Sequence, residues 1–166
     1  MIQTYNILSL LLDYPTEELH AHLDEARDIV AKEDVLDATA MSWLDEFLAY
    51  VHGFASLLDW QSAYSSLFDT GGKASLYLFD FVYGTDRDRG QAMVDLKEEY
   101  LRAGLMPQEE ELPDFLPVYL QYVAAFEDRA EARRTLADVG GVLAKMQELF
   151  AKEQHPYLSL IKILQS

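Results

Sequence analysis

The fold class of this chain depends on residues 74–83, which read Ala-Ser-Leu-Tyr-Leu-Phe-Asp-Phe-Val-Tyr. An apolar run of this length is typical of a buried strand or of a buried helix, and periodicity alone does not separate the two. A lone strand needs a partner to pair with, and no other segment of the chain reads as one. The run therefore predicts a helix, and the whole chain an all-α fold.

Helical periodicity continues from this run toward the amino terminus and predicts four more helices. The first ends at Tyr14-Pro15, because the residue before a proline disfavours the helical conformation. Thr16 is placed to cap the second, and the third ends at Gly53. Ser56 and Asp59 form a capping box for the fourth. A break follows at Thr70-Gly71-Gly72.

Toward the carboxyl terminus the pattern predicts a second set of helices. Thr85 and Asp88 form a capping box, and Gly104 closes the helix that they open. Residues 105–113 form a loop, after which Asp114 is predicted to cap a helix. A long helix is then interrupted or bent near Gly140-Gly141, and a short one starts at His155-Pro156. With no repeat and no linker, residues 1–166 are predicted to form a single helical bundle domain.

Charge and composition exclude several classes of partner. The chain has 13 basic and 29 acidic residues, a net charge of −16, and no cysteine. Such a field repels nucleic acid and anionic membrane surfaces, and favours a basic partner or plain solubility. No apolar run reaches the roughly 20 residues of a membrane helix. We expect a cytoplasmic protein with no nucleic-acid partner and no stable membrane insertion.

The motifs that could carry chemistry are incomplete. Glu17-x-x-His20 matches half of a di-iron carboxylate site, but no second copy stands before another histidine. The glycine pairs lack the Lys and Ser/Thr of a phosphate loop. Asp86-Arg87-Asp88-Arg89 could hold a metal or a phosphate, or could simply begin an ion-paired helix. We therefore predict no enzyme activity, no metal and no cofactor.

Two features suggest binding instead. The loop Glu109-Glu110-Glu111-Leu112-Pro113-Asp114 carries four acids with no base, and aromatic residues are frequent between Trp60 and Tyr83. A charge run is often only a solvated surface, and aromatic stripes are often core. An apolar groove rimmed by carboxylates is nevertheless what a basic amphipathic peptide requires.

Residues 75–93, Ser-Leu-Tyr-Leu-Phe-Asp-Phe-Val-Tyr-Gly-Thr-Asp-Arg-Asp-Arg-Gly-Gln-Ala-Met, strongly resemble the signature of the NarJ family. Residues 111–117, Glu-Leu-Pro-Asp-Phe-Leu-Pro, resemble its second hallmark. Matches at residues 11–15 and 155–157 extend the resemblance over essentially the whole chain. The family comprises delta-subunit assembly chaperones of respiratory nitrate reductase, within the wider group of TorD-type and DmsD-type chaperones for molybdenum enzymes.

The resemblance implies an all-helical chaperone that is not a subunit of the mature enzyme. It implies binding to the amino-terminal segment of the nitrate reductase catalytic subunit. That subunit would stay competent for insertion of the molybdenum cofactor and the nearby iron–sulfur cluster before it docks at the membrane. The target segment resembles a vestigial twin-arginine signal, which suits an acidic, aromatic-lined receptor.

The same resemblance supplies the candidate partner-binding residues. Tyr64, Leu67 and Phe68 resemble the wider group's Tyr-x-x-Leu-Phe element, and Glu111, Pro113 and Asp114 its acidic-Pro-x-Asp element. Phe115 stands where that element usually continues with His. The full set of candidates is Tyr64, Leu67, Phe68, Tyr83, Asp86, Arg87, Glu111, Pro113, Asp114, Phe115 and Tyr119.

We hypothesise that the target segment binds as a helix in a groove or as an extended peptide. Its apolar side chains would bury against Tyr64, Phe68, Tyr83, Phe115 and Tyr119, and its basic side chains would pair with Glu111 and Asp114. Rival hypotheses are a permanent structural helical subunit and a nucleotide or cofactor carrier. We expect a monomer or a weak dimer, domain-swapped if a hinge such as residues 105–113 opens.

Overall fold

The computed structural model of the chain describes residues 1–68, 74–108 and 110–166. The predicted break at Thr70-Gly71-Gly72 and the loop residue Glu109 lie outside these ranges. The helices in the described ranges are α1 (Gln3–Leu12), α2 (Glu17–Ala21), α3 (Leu23–Glu33), α4 (Ala38–His52), α5 (Leu57–Phe68), α6 (Asp86–Arg102), α7 (Leu116–Ala124), α8 (Arg129–Ala137), α9 (Gly140–Lys152) and α10 (Leu158–Gln165), with a 3₁₀ turn at Leu78–Phe81. The predicted all-α fold is confirmed.

The helix boundaries follow local capping chemistry. The side-chain oxygens of Thr16, Ser56 and Thr85 each accept a hydrogen bond from the backbone N–H three residues later, at 3.2, 3.2 and 3.4 Å. Each satisfies one of the donors that a helix start leaves unpaired. Gly104 follows the end of α6 with a φ of 82°, a conformation in which a glycine avoids steric cost. These four predictions are confirmed.

Helices α1 and α7 form the antiparallel centre of the bundle. Ile2 at the start of α1 donates its backbone N–H to Ala124 O at the end of α7, at 2.8 Å. At the other end, the Ser9 hydroxyl donates to Pro117 O at 2.6 Å. Helix α3 packs on α1, α8 packs on α7, and α10 packs against both α4 and α9. The core therefore extends along both sides of this central pair.

A cluster of aromatic side chains joins the second half of the bundle around Tyr157. The buried Trp60 indole donates to Tyr157 Oη at 3.0 Å. The rings of Phe47 on α4 and Phe68 on α5 lie 4.9 and 5.1 Å from that of Tyr157 and meet it edge to face. The residue just before α10 is thus fixed by two other helices.

Residues 74–83 do not form the predicted helix. Residues 74–77 are extended, and Tyr77 forms an antiparallel bridge with Phe115. Leu78 N–H donates to Asp114 O at 2.9 Å, and Leu116 N–H donates to Leu76 O at 2.8 Å. The strand-like run does have a pairing partner, but that partner is a short proline-containing loop that carries no strand pattern of its own.

Two further helix predictions need correction, and one is confirmed. Asp114 does not cap α7, because Phe115 occupies that position and its side chain makes no capping bond. The helix predicted after Thr16 is split at His22 into α2 and α3. The interruption predicted near Gly140-Gly141 is present, since α8 ends at Ala137 and α9 begins at Gly140. None of the helices in the described part of the chain has the length and hydropathy needed to cross a membrane.

Candidate functional site

A cavity of about 440 Å³ opens where the end of α1, α5, the extended residues 74–77 and the loop before α7 meet. We call it the aromatic cavity. Its lining residues are Asp13, Tyr14, Tyr64, Phe68, Ala74, Ser75, Leu76, Tyr77, Asp80, Glu111 and Phe115. The pairing of residues 76–78 with residues 114–116 brings its two walls together. Four of the eleven candidate residues, Tyr64, Phe68, Glu111 and Phe115, line it.

The walls of the aromatic cavity are rings in mutual contact. Tyr64 and Phe68 stand one turn apart on α5, with ring centres 4.7 Å apart. Tyr14 meets Tyr64 edge to face at 5.9 Å, and Tyr77 lies 5.1 Å from Phe115. The Tyr64 hydroxyl donates to Leu12 O at 2.9 Å, which fixes that ring against the end of α1. The cavity is thus walled by positioned aromatic side chains.

Three carboxylates, of Asp13, Asp80 and Glu111, also line the aromatic cavity. Burial raises the pKa of Asp13 above its ordinary value. Burial also raises the pKa of Glu111, and the nearby charges of Asp13 and Glu110 add to that rise. No cationic side chain is among the described lining residues. A bound cation would relieve the repulsion between these groups and favour their ionised forms.

Asp80 is held in place by two partners. It accepts hydrogen bonds from the Ser75 hydroxyl, at 2.6 Å, and from the Arg89 guanidinium in the first turns of α6. Asp80 is exposed, and its ion pair with Arg89 neutralises part of its charge. Asp13 and Glu111 are therefore the principal uncompensated charges of the cavity.

Asp114 lies elsewhere than expected, because only 1% of its surface is exposed. Its Oδ2 accepts a 3.0 Å hydrogen bond from Phe79 N–H, and its Oδ1 is buried with no hydrogen-bond partner among the described residues. Burial raises the pKa of Asp114. The expectation that Asp114 pairs with a basic side chain of the target stays a prediction, and in this structure the carboxylate is not accessible to such a side chain. Asp114 instead positions the 3₁₀ turn that follows the cavity wall.

Tyr119 is also buried, and it belongs to the core. Only 5% of it is exposed, and its hydroxyl donates to Thr135 O on α8 at 2.7 Å. Burial also raises the pKa of Tyr119. The side chain is therefore directed toward α8, and it does not line the aromatic cavity.

The remaining candidates do not line the cavity. Leu67 borders a separate recess beside His155, and the Pro113 carbonyl accepts from the Tyr100 hydroxyl at 2.6 Å. Tyr83 packs edge to face on Phe79 at 5.1 Å. Asp86 and Arg87 lie exposed in the first turn of α6.

Several lining residues were not among the candidates. Asp13 and Tyr14 belong to the string at residues 11–15 that resembles the family, and Ser75, Tyr77 and Asp80 belong to the signature at 75–93. Both strings carried the family resemblance, so the signal was present but was not assigned to a site. Among the described residues no group of His, Asp or Glu is arranged to hold a metal ion.

Comparison with known proteins shows the family. The family model described as nitrate reductase delta subunit matches residues 31–161. The chain belongs to this family. NarJ of Escherichia coli K12, named as a nitrate reductase molybdenum cofactor assembly chaperone, is 39% identical over 158 residues. That match covers 95% of this chain and 66% of the relative, so the chain spans slightly less than two thirds of that protein's length.

More distant relatives agree with this assignment. NarJ of Bacillus subtilis 168, named as a probable chaperone of the same kind, is 31% identical, with 97% of this chain and 85% of the relative covered. A crystal structure of a candidate redox enzyme maturation protein from Archaeoglobus fulgidus superposes with a TM-score of 0.68. It is 18% identical and covers 99% of this chain and 91% of its own. That likeness shows a shared all-helical fold.

Proposed function

We propose that this chain is a molybdenum cofactor assembly chaperone for respiratory nitrate reductase. It binds the amino-terminal segment of the catalytic subunit in the aromatic cavity. Bound there, the subunit stays competent to receive its molybdenum cofactor and iron–sulfur cluster before it docks at the membrane. The chain works in the cytoplasm and catalyses no reaction itself, in keeping with relatives named as assembly chaperones.

The observation that carries this proposal is the composition of the aromatic cavity. Its rings offer apolar contact area, and Asp13 and Glu111 offer negative charge that no lining side chain compensates. A segment with apolar and basic side chains complements both. A lone phosphate or nucleotide would instead meet repulsion, which disfavours the carrier hypothesis.

The two kinds of contact contribute differently to binding. Burial of a large apolar side chain is worth about 1.5–3 kcal/mol. An exposed ion pair is worth about 0–1 kcal/mol, and a partly desolvated charged hydrogen bond about 1.5–3 kcal/mol. We expect the rings to supply most of the affinity, and the carboxylates to set the orientation and the association rate.

The test is a calorimetric titration with a peptide of about the first 15 residues of the catalytic subunit from the same organism. A second peptide has its Lys and Arg residues replaced by Gln. We expect micromolar or tighter binding of the first and a clear loss with the second. Absence of binding by the first peptide would contradict the proposal and favour a permanent structural subunit.

A matched pair of variants locates the binding site. Glu111→Gln removes a cavity charge, whereas Glu46→Gln removes an exposed charge on α4, outside the cavity. We expect the first to weaken binding of the basic peptide by about threefold to tenfold, and the second to leave it unchanged. Equal effects of the two variants would argue for a non-specific field effect of the acidic protein.

A further inference from the structure

Four large apolar side chains are exposed on α6 and the loop that follows it. They are Val94, Leu101, Met106 and Leu112, with exposed fractions of 52%, 48%, 84% and 52%. We call this set the α6 patch. Val94 and Leu112 line one recess of about 250 Å³, and Leu101 lies two turns after Val94 on the same helix face. Met106 begins the loop that closes the recess at Pro107.

The loop is attached to α6, so the α6 patch has a defined shape. Tyr100, the fully buried residue of α6, donates its hydroxyl to Pro113 O at 2.6 Å. On the other side of the loop, Asp114 holds the 3₁₀ turn through Phe79 N–H. The loop is therefore anchored at its carboxyl end to two elements, while its Met106 and Leu112 side chains are exposed.

The α6 patch is continuous with the aromatic cavity. Glu111 lines both the cavity and the recess that contains Val94 and Leu112. A polypeptide that leaves the cavity past Glu111 thus reaches the patch without crossing another element. The two surfaces together form one continuous binding surface, with apolar side chains at each end and the Glu111 carboxylate between them.

Charge indicates what kind of partner covers the patch. Near the α6 patch in sequence, acidic residues outnumber basic ones. The acidic residues are Glu98, Glu99, Glu110 and Glu111, and the basic ones are Lys97 and Arg102. Arg102 already pairs with Glu98 at 3.7 Å. A second copy of this chain would bring a further net charge of −16 and the same carboxylates to the contact, which repels. An anionic membrane is disfavoured in the same way. The surface suits an apolar segment with basic residues.

We propose that the α6 patch binds the stretch of the catalytic subunit that follows the segment held in the aromatic cavity. This inference rests on the proposed function. The chaperone then contacts its client over two consecutive segments, and the second contact adds affinity by being linked to the first. A transient partner of this kind accounts for large exposed apolar side chains on a strongly charged chain.

The test compares peptides of about the first 15 and about the first 30 residues of the catalytic subunit by calorimetry. We expect the longer peptide to bind wild type about tenfold more tightly. The double variant Val94→Gln/Met106→Gln should bind the longer peptide only as tightly as the shorter one. Its affinity for the shorter peptide should be unchanged. Leu58→Gln, which alters a 68% exposed leucine on α5 outside the patch, should behave like wild type.

The outcomes separate the two proposals. Binding of the shorter peptide with no gain from the longer one would overturn the α6 patch and leave the proposed function intact. The same conclusion would follow if the longer peptide kept its affinity in the double variant. Failure of both peptides to bind wild type would overturn the proposed function, and the patch assignment with it.

Discussion

The Asp114 carboxylate accepts a 3.0 Å hydrogen bond from the backbone N–H of Phe79, 35 residues earlier in the chain. This bond fastens the 3₁₀ turn at Leu78–Phe81 to the segment that leads into α7. The aromatic cavity lies between those two segments, so the shape of the cavity depends on a buried contact outside its lining. Asp114, which belongs to the family motif at residues 111–117, therefore has a structural role.

The first prediction concerns the charge of Asp114. Because the pKa of this carboxyl is raised by burial, the folded state binds its proton more readily than the unfolded state does. Ionised Asp114 therefore lowers the free energy of unfolding once the pH passes from about 4 through the raised pKa. Asp114→Asn keeps an acceptor for Phe79 N–H and removes the charge.

We expect the unfolding free energy of Asp114→Asn, relative to wild type, to increase between pH 4 and pH 7 in urea titrations. Asp114→Ala also removes the charge but loses the hydrogen bond, so at each pH it should be about 1–3 kcal/mol less stable than Asp114→Asn. A relative stability of Asp114→Asn that does not vary with pH would show that the carboxyl is not desolvated in solution.

Local signals made most of the helices predictable from sequence. Thr16 and Thr85 are predictable as caps because capping depends on residues only three positions apart. Tyr64 and Phe68 are candidate site residues because a short family element contains both. Both predictions use residues within a few positions of each other in the chain, so they need no knowledge of the tertiary structure.

The features that the sequence does not predict depend on pairing between residues far apart in the chain. The extended conformation at Leu76 is stabilised by a backbone bond with Leu116, 40 residues later, and no local pattern identifies that partner. The same pairing brings Asp80 to the cavity and buries Asp114. Asp114 looked accessible in sequence because it ends an acidic run, and only the tertiary packing separates it from Glu111.

The second prediction concerns the hydrogen bond between Trp60 and Tyr157. Both side chains are fully buried, so Tyr157→Phe leaves the indole N–H without an acceptor. An unsatisfied buried donor costs about 1–3 kcal/mol. We expect that loss in the free energy of unfolding, measured by circular dichroism in urea.

Tyr50→Phe is the matched control for this loss. Tyr50 belongs to the same aromatic cluster, with its ring centre 6.2 Å from that of Tyr157, and it is only partly buried. Its hydroxyl makes no hydrogen bond within the described part of the chain, so its removal should change stability by less than about 0.5 kcal/mol. Equal costs for the two variants would mean that the Trp60 bond contributes nothing.

The third prediction concerns His155, which stacks on Phe150 at 4.4 Å and accepts Tyr157 N–H at Nδ1. Burial lowers the pKa of His155 to about 4, from an ordinary value of 6.5. The folded state therefore favours the neutral ring, and this contribution to stability is complete above pH 6.5. It is lost as the pH falls from 6.5 toward 4.

The variant His155→Asn keeps an acceptor for Tyr157 N–H but loses both the titration and the ring stacking. It should be less stable than wild type at pH 7, and the difference should narrow by about 2 kcal/mol by pH 5. Urea unfolding at the two pH values measures this change. A difference that stays constant would show that His155 titrates equally in the folded and unfolded states.

The fourth prediction separates the rings of the aromatic cavity from its carboxylates. Asp13→Asn removes a cavity charge next to Glu111, so the affinity for the basic peptide should depend less on salt concentration. Tyr14→Ser removes a 46% exposed ring at the cavity edge. It should lower affinity about tenfold and leave the salt dependence unchanged, because the loss is of apolar contact area.

Asp114→Asn is the control for charge, since the original sequence-based hypothesis assigned target recognition to this residue. The structure buries Asp114 behind the 3₁₀ turn, so this variant should keep the wild-type salt dependence while Asp13→Asn does not. Calorimetric measurement of peptide affinity at three salt concentrations distinguishes the two variants. If Asp114→Asn flattened the salt dependence and Asp13→Asn had no effect, the client would have to open the contact with Phe79 in order to bind.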